Sequence, residues 1–228
     1  MNRTLIPLLL LLAAAAPAHP RLDGTWMLDP GQGPGFGDGA AKASAPPLTT
    51  AAQTLYDQRR RDLAAGKGAI DPTAACLPLG FPRDMSAHFP IQIVTDPQKV
   101  TLIFPSTVRA RRIFLDRTAH DPDMDPQFNG DSIGHWQGDA LVVDTVGFKP
   151  GVWLDGRGAP QGEDLHVTER IRLIDGGKRL EDRITVADPK VFTRPWTATK
   201  TYSRRPDSVL TDGLCEELSV GHPRWAAK

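Results

Sequence analysis

From about residue 90 onwards, apolar and polar positions alternate with a period of two, in the runs IQIVT, KVTLIF, VRARRIFL, SIGHWQ, ALVVDTVGF, LHVTERIRLI, RLEDRITVA and WTATKTYS. Successive side chains of a strand point to opposite faces, so each run predicts a β-strand with one buried face. The turn sequences DPQK, QGD and DGGK separate them, and hardly any helical pattern intervenes. That arrangement excludes a doubly wound α/β fold and predicts an all-β domain of antiparallel strands, either a barrel or a sandwich.

Ahead of these runs, LTTAAQTLYDQRRRDLAAG predicts one helix, with Thr49 or Thr50 as its N-cap and Gly66 as its stop. Residues 30–47 are rich in Gly, Ala and Pro, which predicts a long surface loop. The start of the chain reads differently: Arg3, an apolar core from Leu5 to Ala16 and the small-residue site Ala16-Pro17-Ala18 describe a secretory signal peptide. It is too short and wrongly flanked for a membrane anchor. Cleavage after Ala18 leaves about 210 residues, the size of one ordinary domain. The expected organisation is a leader over 1–18, a mostly irregular segment over 19–47, and a β-barrel domain with its N-terminal helix over 48–228. Gly24-Thr25-Trp26 resembles the Gly-x-Trp element of lipocalin-like barrels, which favours a calycin-like barrel over the sandwich, although the strand pattern does not separate the two.

Twenty-seven basic residues balance twenty-seven acidic ones, so nothing favours steering towards nucleic acid or an anionic membrane surface. The two cysteines, Cys76 and Cys215, both fall in the mature chain, and export permits a disulfide between them. No CxxC or second sulfur pair points to a metal.

The strand faces hold the candidate chemistry. On LHVTERIRL, His166, Thr168, Arg170 and Arg172 form a polar row, while Glu169 falls among Leu165, Val167, Ile171 and Leu173. Glu169 is therefore expected to point inward. The same reasoning places Asp182 inward with Leu180, Ile184 and Val186, and Arg112 with Val108, Ala110 and Phe114. On residues 140–148 both rows are apolar, so this strand is covered on both sides or its outer row lies under the N-terminal helix, and Asp144, in the row of Val142, Val146 and Phe148, is expected to be buried and is counted with the inward acids. A buried ion needs a partner, because an isolated carboxylate in low dielectric protonates instead. Arg112 and one acid could simply fix strand register. Three acids exceed what one arginine neutralises, and the surplus points to a site where Arg112 anchors an anion and an acid transfers a proton. His135 shares a face with Ile133 and is a further acid/base candidate beside Asp144. Trp153 and Asp155, in GVWLDGRG, and His120, beside the acidic run 121–125, sit in inter-strand loops where a barrel's mouth is expected. Phe148, Trp196 and His166 complete the substrate-binding candidates.

Other motifs fit less well. Gly130-Asp131-Ser132-Ile133-Gly134 matches GxSxG and is followed by Asp144 and His166 in hydrolase order, but a strand follows the serine where the nucleophile elbow needs a helix. Residues 120–131 alternate aspartates like a calcium loop, yet Pro126 stands where glycine is needed and no closing Glu is present. HVTE puts His166 and Glu169 on opposite faces, which disfavours a metal. No phosphate loop or dinucleotide fingerprint occurs, so no cofactor is expected.

The stretch SIGHWQGDALVVDTVGF, followed by VWLDGRGAP, LHVTERIRLID, ADPKVFTRPWT and CEE, resembles a widespread group of exported bacterial proteins. Their shared pattern runs roughly CLPxGxPR, RRIYLDGRxHP, GHSIGxWEGDTLVVDTxGF, WLDxxGxPHS, LHVxERxR, DPxxYxxPWT and CEEN. The resemblance covers about residues 70–217 and by itself implies no activity. This chain departs from it with Gln161-Gly162 in place of His-Ser and with Arg117-Thr118 in place of Asp-Gly or Gly-Arg. The group is similar in turn to cofactor-independent enzymes of sphingomonad aromatic-dimer catabolism, which form stilbenes by losing carbon dioxide or formaldehyde. That likeness implies a periplasmic or secreted lyase acting by acid/base chemistry on a small hydrophobic, lignin-derived aromatic molecule. Asp144, Glu169, His135 and Arg112 are its expected machinery. A lipocalin-like binding protein without turnover is the alternative, and a serine hydrolase the third reading.

Overall fold

A computed structural model describes residues 19–38, 45–105 and 110–210. Nine strands close into a barrel in sequence order. They are β1 (Gly24–Leu28), β2 (Ile91–Thr95), β3 (Lys99–Ile103), β4 (Arg111–Phe114), β5 (Asp131–Gln137), β6 (Ala140–Val146), β7 (His166–Ile174), β8 (Arg179–Ala187) and β9 (Trp196–Arg204). The eight runs appear as β2 to β9, and the Gly-x-Trp element supplies β1. The barrel thus begins at Gly24, inside the segment expected to be irregular.

Every neighbouring pair is antiparallel except one. β4 and β5 run parallel, joined by Ile113↔Ser132 and Phe114↔Ile133. The expectation of antiparallel pairing throughout is corrected here for a topological reason. Residues 115–130 carry the chain from the end of β4 back to the other rim, so β5 starts beside the start of β4, and a parallel pair needs a crossover of about this length.

Alternation fills the interior. Trp26, Ile93, Val100, Leu102, Ile113, Leu141, Val143, Val167, Ile171, Leu180, Ile184 and Tyr202 are buried in one core. Tight turns close one rim, and there the Arg204 guanidinium lies over the Trp26 ring, 4.3 Å from its centroid, and donates to the Asp23 carbonyl at 2.7 Å. The long connections gather at the other rim. The helix α1 (Thr50–Ala64) starts where Thr49 Oγ accepts from the Ala52 amide, and its Arg59 reaches across to the Gly158 carbonyl.

The segment after β1 also folds onto this rim, and is not the free surface loop its composition suggests. Phe36 is buried edge-on to Trp196, with ring centroids 4.8 Å apart, and Gln32 donates to the Thr201 carbonyl. Lys200, buried beneath it, donates to the carbonyls of Gly35 and Asp38. Burial, partly offset by the charges of Asp38 and Asp155, pulls this ammonium down to about 8. Of the expected Cys76–Cys215 disulfide, Cys215 lies outside the described residues.

Candidate functional site: two ion clusters and a cationic cleft

Inside the barrel, the Arg111 side chain is fully buried between β5, β6 and β7. It makes a two-pronged contact with Glu169, through Nη1 to Oε1 at 2.8 Å and through Nη2 to Oε2. Nη2 also donates to Ser132 Oγ and Thr145 Oγ1 at 3.2 and 3.1 Å, and the guanidinium carbon lies 3.5 Å from the centre of the Phe81 ring. A buried charge tolerates its site only when paired and hydrogen-bonded in this way. Asp182 points into the same interior with no exposed surface, and neither oxygen accepts a hydrogen bond from the described residues. Burial first, and the negative charge of Glu169 second, raise its carboxyl well above the usual range. One arginine holds one carboxylate, and burial beside that pair favours the uncharged form of the second acid.

On the outer face of the same strands, a chain of four side chains alternates carboxylate and imidazole. Asp131 Oδ2 meets His120 Nδ1 at 2.8 Å, His120 Nε2 meets Asp144 Oδ1 at 2.8 Å, and Asp144 Oδ2 meets His166 Nε2 at 2.5 Å. Arg117 Nη1 donates to the other Asp131 oxygen at 3.2 Å. His120 comes from the 115–130 crossover, which lies against the outer row of β5 and β6. Partial burial disfavours its charge, but hydrogen bonds to Asp131 and Asp144 outweigh that and raise it above an ordinary histidine. Desolvation pulls the Asp144 carboxyl up, yet hydrogen bonds from His166 and His120 prevail and hold it below the ordinary aspartate value. An imidazole bonded through both nitrogens to carboxylates can pass a proton either way with little movement of heavy atoms.

One end of this chain opens onto a cleft of about 490 Å³. Its walls come from β4, the crossover and the start of the β6–β7 connection. Among the described residues they carry Arg112, Arg117 and Lys149 beside Asp121 and Asp131, with the Glu169-paired Arg111 behind them. Phe114, Met124 and Phe128 supply the apolar surface. Besides Arg111 over Phe81, two more of the cations lie over aromatic faces, Arg117 at 3.6 Å from the Phe114 centroid and Lys149 at 5.2 Å from that of Phe128. The cleft can therefore take a flat apolar body that carries negative charge.

The expected convergence of Asp144, Glu169, Arg112 and His135 in one interior hollow is corrected. Glu169 does point inward, but Asp144 is on the outer face with its side chain 39% exposed. Arg112 is exposed as well, because the inward row of β4 is Arg111 and Ile113. It lines the cleft from outside. His135 is exposed on the outer face and lines a different groove. His166 pairs with Asp144, and His120 is the centre of the outer chain.

The expected binding aromatics are packing residues. Phe148 is buried against Phe81, with centroids 6.2 Å apart, and Trp153 is buried under Arg59 and Arg83. Trp196 packs on Phe36. Asp155 accepts from the amides of Phe36, Arg157 and Ala159 and pins the rim connections together. Trp196 and Asp155 do border a second hollow of about 340 Å³ beside α1. Ser132 Oγ, held by Arg111 and Thr145 inside the barrel, lies across the sheet from Asp144 and His166, so the three do not form a triad.

Sequence reasoning gave no site role to Arg111, Arg117 or Lys149, and met Asp131 only in the serine motif and at the end of the calcium-like run. Asp131 had a local signal, since it opens β5 on the same outward row as Ile133. Compared with known proteins, the chain matches no family model and no curated protein sequence.

Proposed function

We propose that this protein is an exported, cofactor-independent lyase that uses the cationic cleft to hold a small aromatic molecule with an acidic group and the Asp131–His120 pair to transfer its proton. The observation that carries this reading is Asp131 itself: it lines the cleft and is bonded to His120, whose other nitrogen is bonded to Asp144. Arg112, Arg117 and Lys149 bind the carboxylate or phenolate and stabilise the charge that builds as a carbon–carbon bond breaks. If the leaving fragment is carbon dioxide, the electron pair stays on the ring-bearing carbon and takes a proton delivered through Asp131. If it is formaldehyde, the hydroxymethyl proton is first taken by Asp131 and passed to His120, the electron pair of the broken carbon–carbon bond stays on the ring-bearing carbon, and that carbon takes the proton back, so no net proton is exchanged. In the decarboxylation the proton consumed is replaced from solvent through His166, Asp144 and His120. Such steps need positioned acids and a partly desolvated pocket.

A second reading has its own support. The Gly24-Thr25-Trp26 element, with the Arg204 guanidinium over the Trp26 indole at the closed rim of the barrel, supports a lipocalin-like binding protein. The barrel interior, however, is filled by Arg111, Glu169, Lys200 and Tyr202, each buried to 2% exposure or less. A ligand therefore fits the lateral cleft better than the barrel axis.

The test is turnover of a panel of aromatic carboxylates and hydroxymethyl phenols, followed by product mass. Asp131→Asn should abolish product formation while the protein still binds the compound, and Arg112→Ala should raise KM. Undiminished turnover by Asp131→Asn would overturn the mechanism, and binding without product by the native chain would favour the lipocalin-like reading.

A further inference from the structure

The large apolar side chains that line the cleft, Phe114, Phe128 and Met124, are not held alike. Phe114 lies under the Arg117 guanidinium and Phe128 under the Lys149 ammonium, so a cation covers each ring. Met124 is half-buried, and its unbranched thioether chain turns freely about its bonds. The end of that chain rests on Gly147, which stands behind it and not on the cleft wall. A Cβ at residue 147 would overlap the Met124 methyl carbon and lie 3.1 Å from its sulfur. Gly147 also has φ +70°, a conformation that glycine adopts without steric cost. The two backbones cannot part to admit a larger residue, because the Gln127 amide donates to the Gly147 carbonyl at 2.9 Å and the Lys149 amide to the Gln127 carbonyl at 2.8 Å. What can yield is the Met124 side chain, and its open side is the cleft.

We propose that Met124, seated on Gly147, sets the width of the flat ring that the cleft accepts. The bare glycine lets the thioether lie back, and the room this leaves in front admits a broad ring. A ring placed there meets the sulfur, which is a favourable contact. Pushing the methyl forward removes that room, and a difference of one methyl group in a packed pocket changes selectivity by about 10-fold or more. The inference rests on the reading that the cleft holds an aromatic acid, and not on turnover.

The experiment measures equilibrium binding of benzoate and naphthoate, monoanions that differ by one fused ring, to the native chain and to Gly147→Ala, Met124→Phe and the double variant Gly147→Ala/Met124→Ala. Gly147→Ala should weaken naphthoate by about 10-fold relative to benzoate. The double variant should restore at least the native ratio, which general damage at residue 147 would not allow. Met124→Phe leaves the glycine in place and should shift the ratio in the same direction, so the test holds even if Gly147→Ala fails to fold. An unchanged ratio in Met124→Phe, no recovery in the double variant, or a native chain that binds neither acid would overturn the proposal. The expected ratios without product from any aromatic acid would support it while overturning the lyase reading.

Discussion

The two ion clusters use neighbouring residues of the same strands and behave as opposites. On β6 and β7, Thr145 and Glu169 face the interior while Asp144 and His166 face out, and the register sets Asp144 beside Thr168 and Val143 beside Glu169. Inside, the groups are fully buried, every charge must be matched, and burial favours the uncharged form of the surplus acid Asp182. Outside, the partly exposed Asp144 is held in its charged form by hydrogen bonds from His166 and His120. Carboxylates thus give a fixed structural bond to arginine on one face and a titratable relay with histidines on the other, and both the partner and the dielectric make the difference.

Glu169→Ala tests the inner half most severely. It leaves the Arg111 charge buried without its counter-ion, and chemical denaturation should show a loss of about 3–5 kcal/mol. A loss no larger than that of an exposed pair would erase the contrast. Asp131→Asn is the outer counterpart. It should lower the catalytic rate by about 100-fold or more, measured at saturating substrate, with a much smaller change in stability.

Asp182→Asn sharpens the inner half through pH. The Asp182 carboxyl is raised in the folded state above 3.8, so its contribution to stability is full below that pH and is lost as pH climbs towards the raised value. Thermal unfolding of the variant from pH 4 to 8 should show a flatter decline than the native protein. The smallest effect belongs to Asp144→Asn, worth about 1 kcal/mol or less because the group is part exposed. Its sign is still definite. Asp144 is held below 3.8, so its share appears above that pH and is lost on acidification, whereas His120 is raised above 6.5, so its share is full below that pH and is lost as pH passes the raised value. The difference between native and variant should peak between those limits, and the His120 imidazole signals should titrate at lower pH in the variant.

How far the sequence could be read follows from how each strand is covered. On β7 one row is polar and the other apolar, so the inward Glu169 and outward His166 were legible from alternation alone. On β6 both rows are apolar because the 115–130 crossover covers the outer one: Met124 packs so closely on Gly147 that a Cβ there would lie 2.4 Å from its methyl carbon. Nothing local distinguishes inside from outside on such a strand, and Asp144 was assigned to the wrong face. β4 defeats the same count because each of its rows holds one arginine and one apolar residue, Arg111 with Ile113 and Arg112 with Phe114. The closed, strand-rich architecture was open to inspection, while the parallel pairing and the meeting of His120 with Asp131 and Asp144 depend on the path of a connection that carries no periodic signal.

The β4–β5 joint holds by two residue pairs where its neighbours hold by four or more. Breathing of a closed sheet begins at its shortest lateral contact, where the free energy of local opening is lowest. Backbone amides of Ile113 and Ile133 should therefore exchange with deuterated solvent earlier than those of β7 and β8. The cleft spans this joint, with Arg112 on one side and Asp131 on the other, so an occupant gripping both would act as a clasp and slow that exchange before any other in the protein.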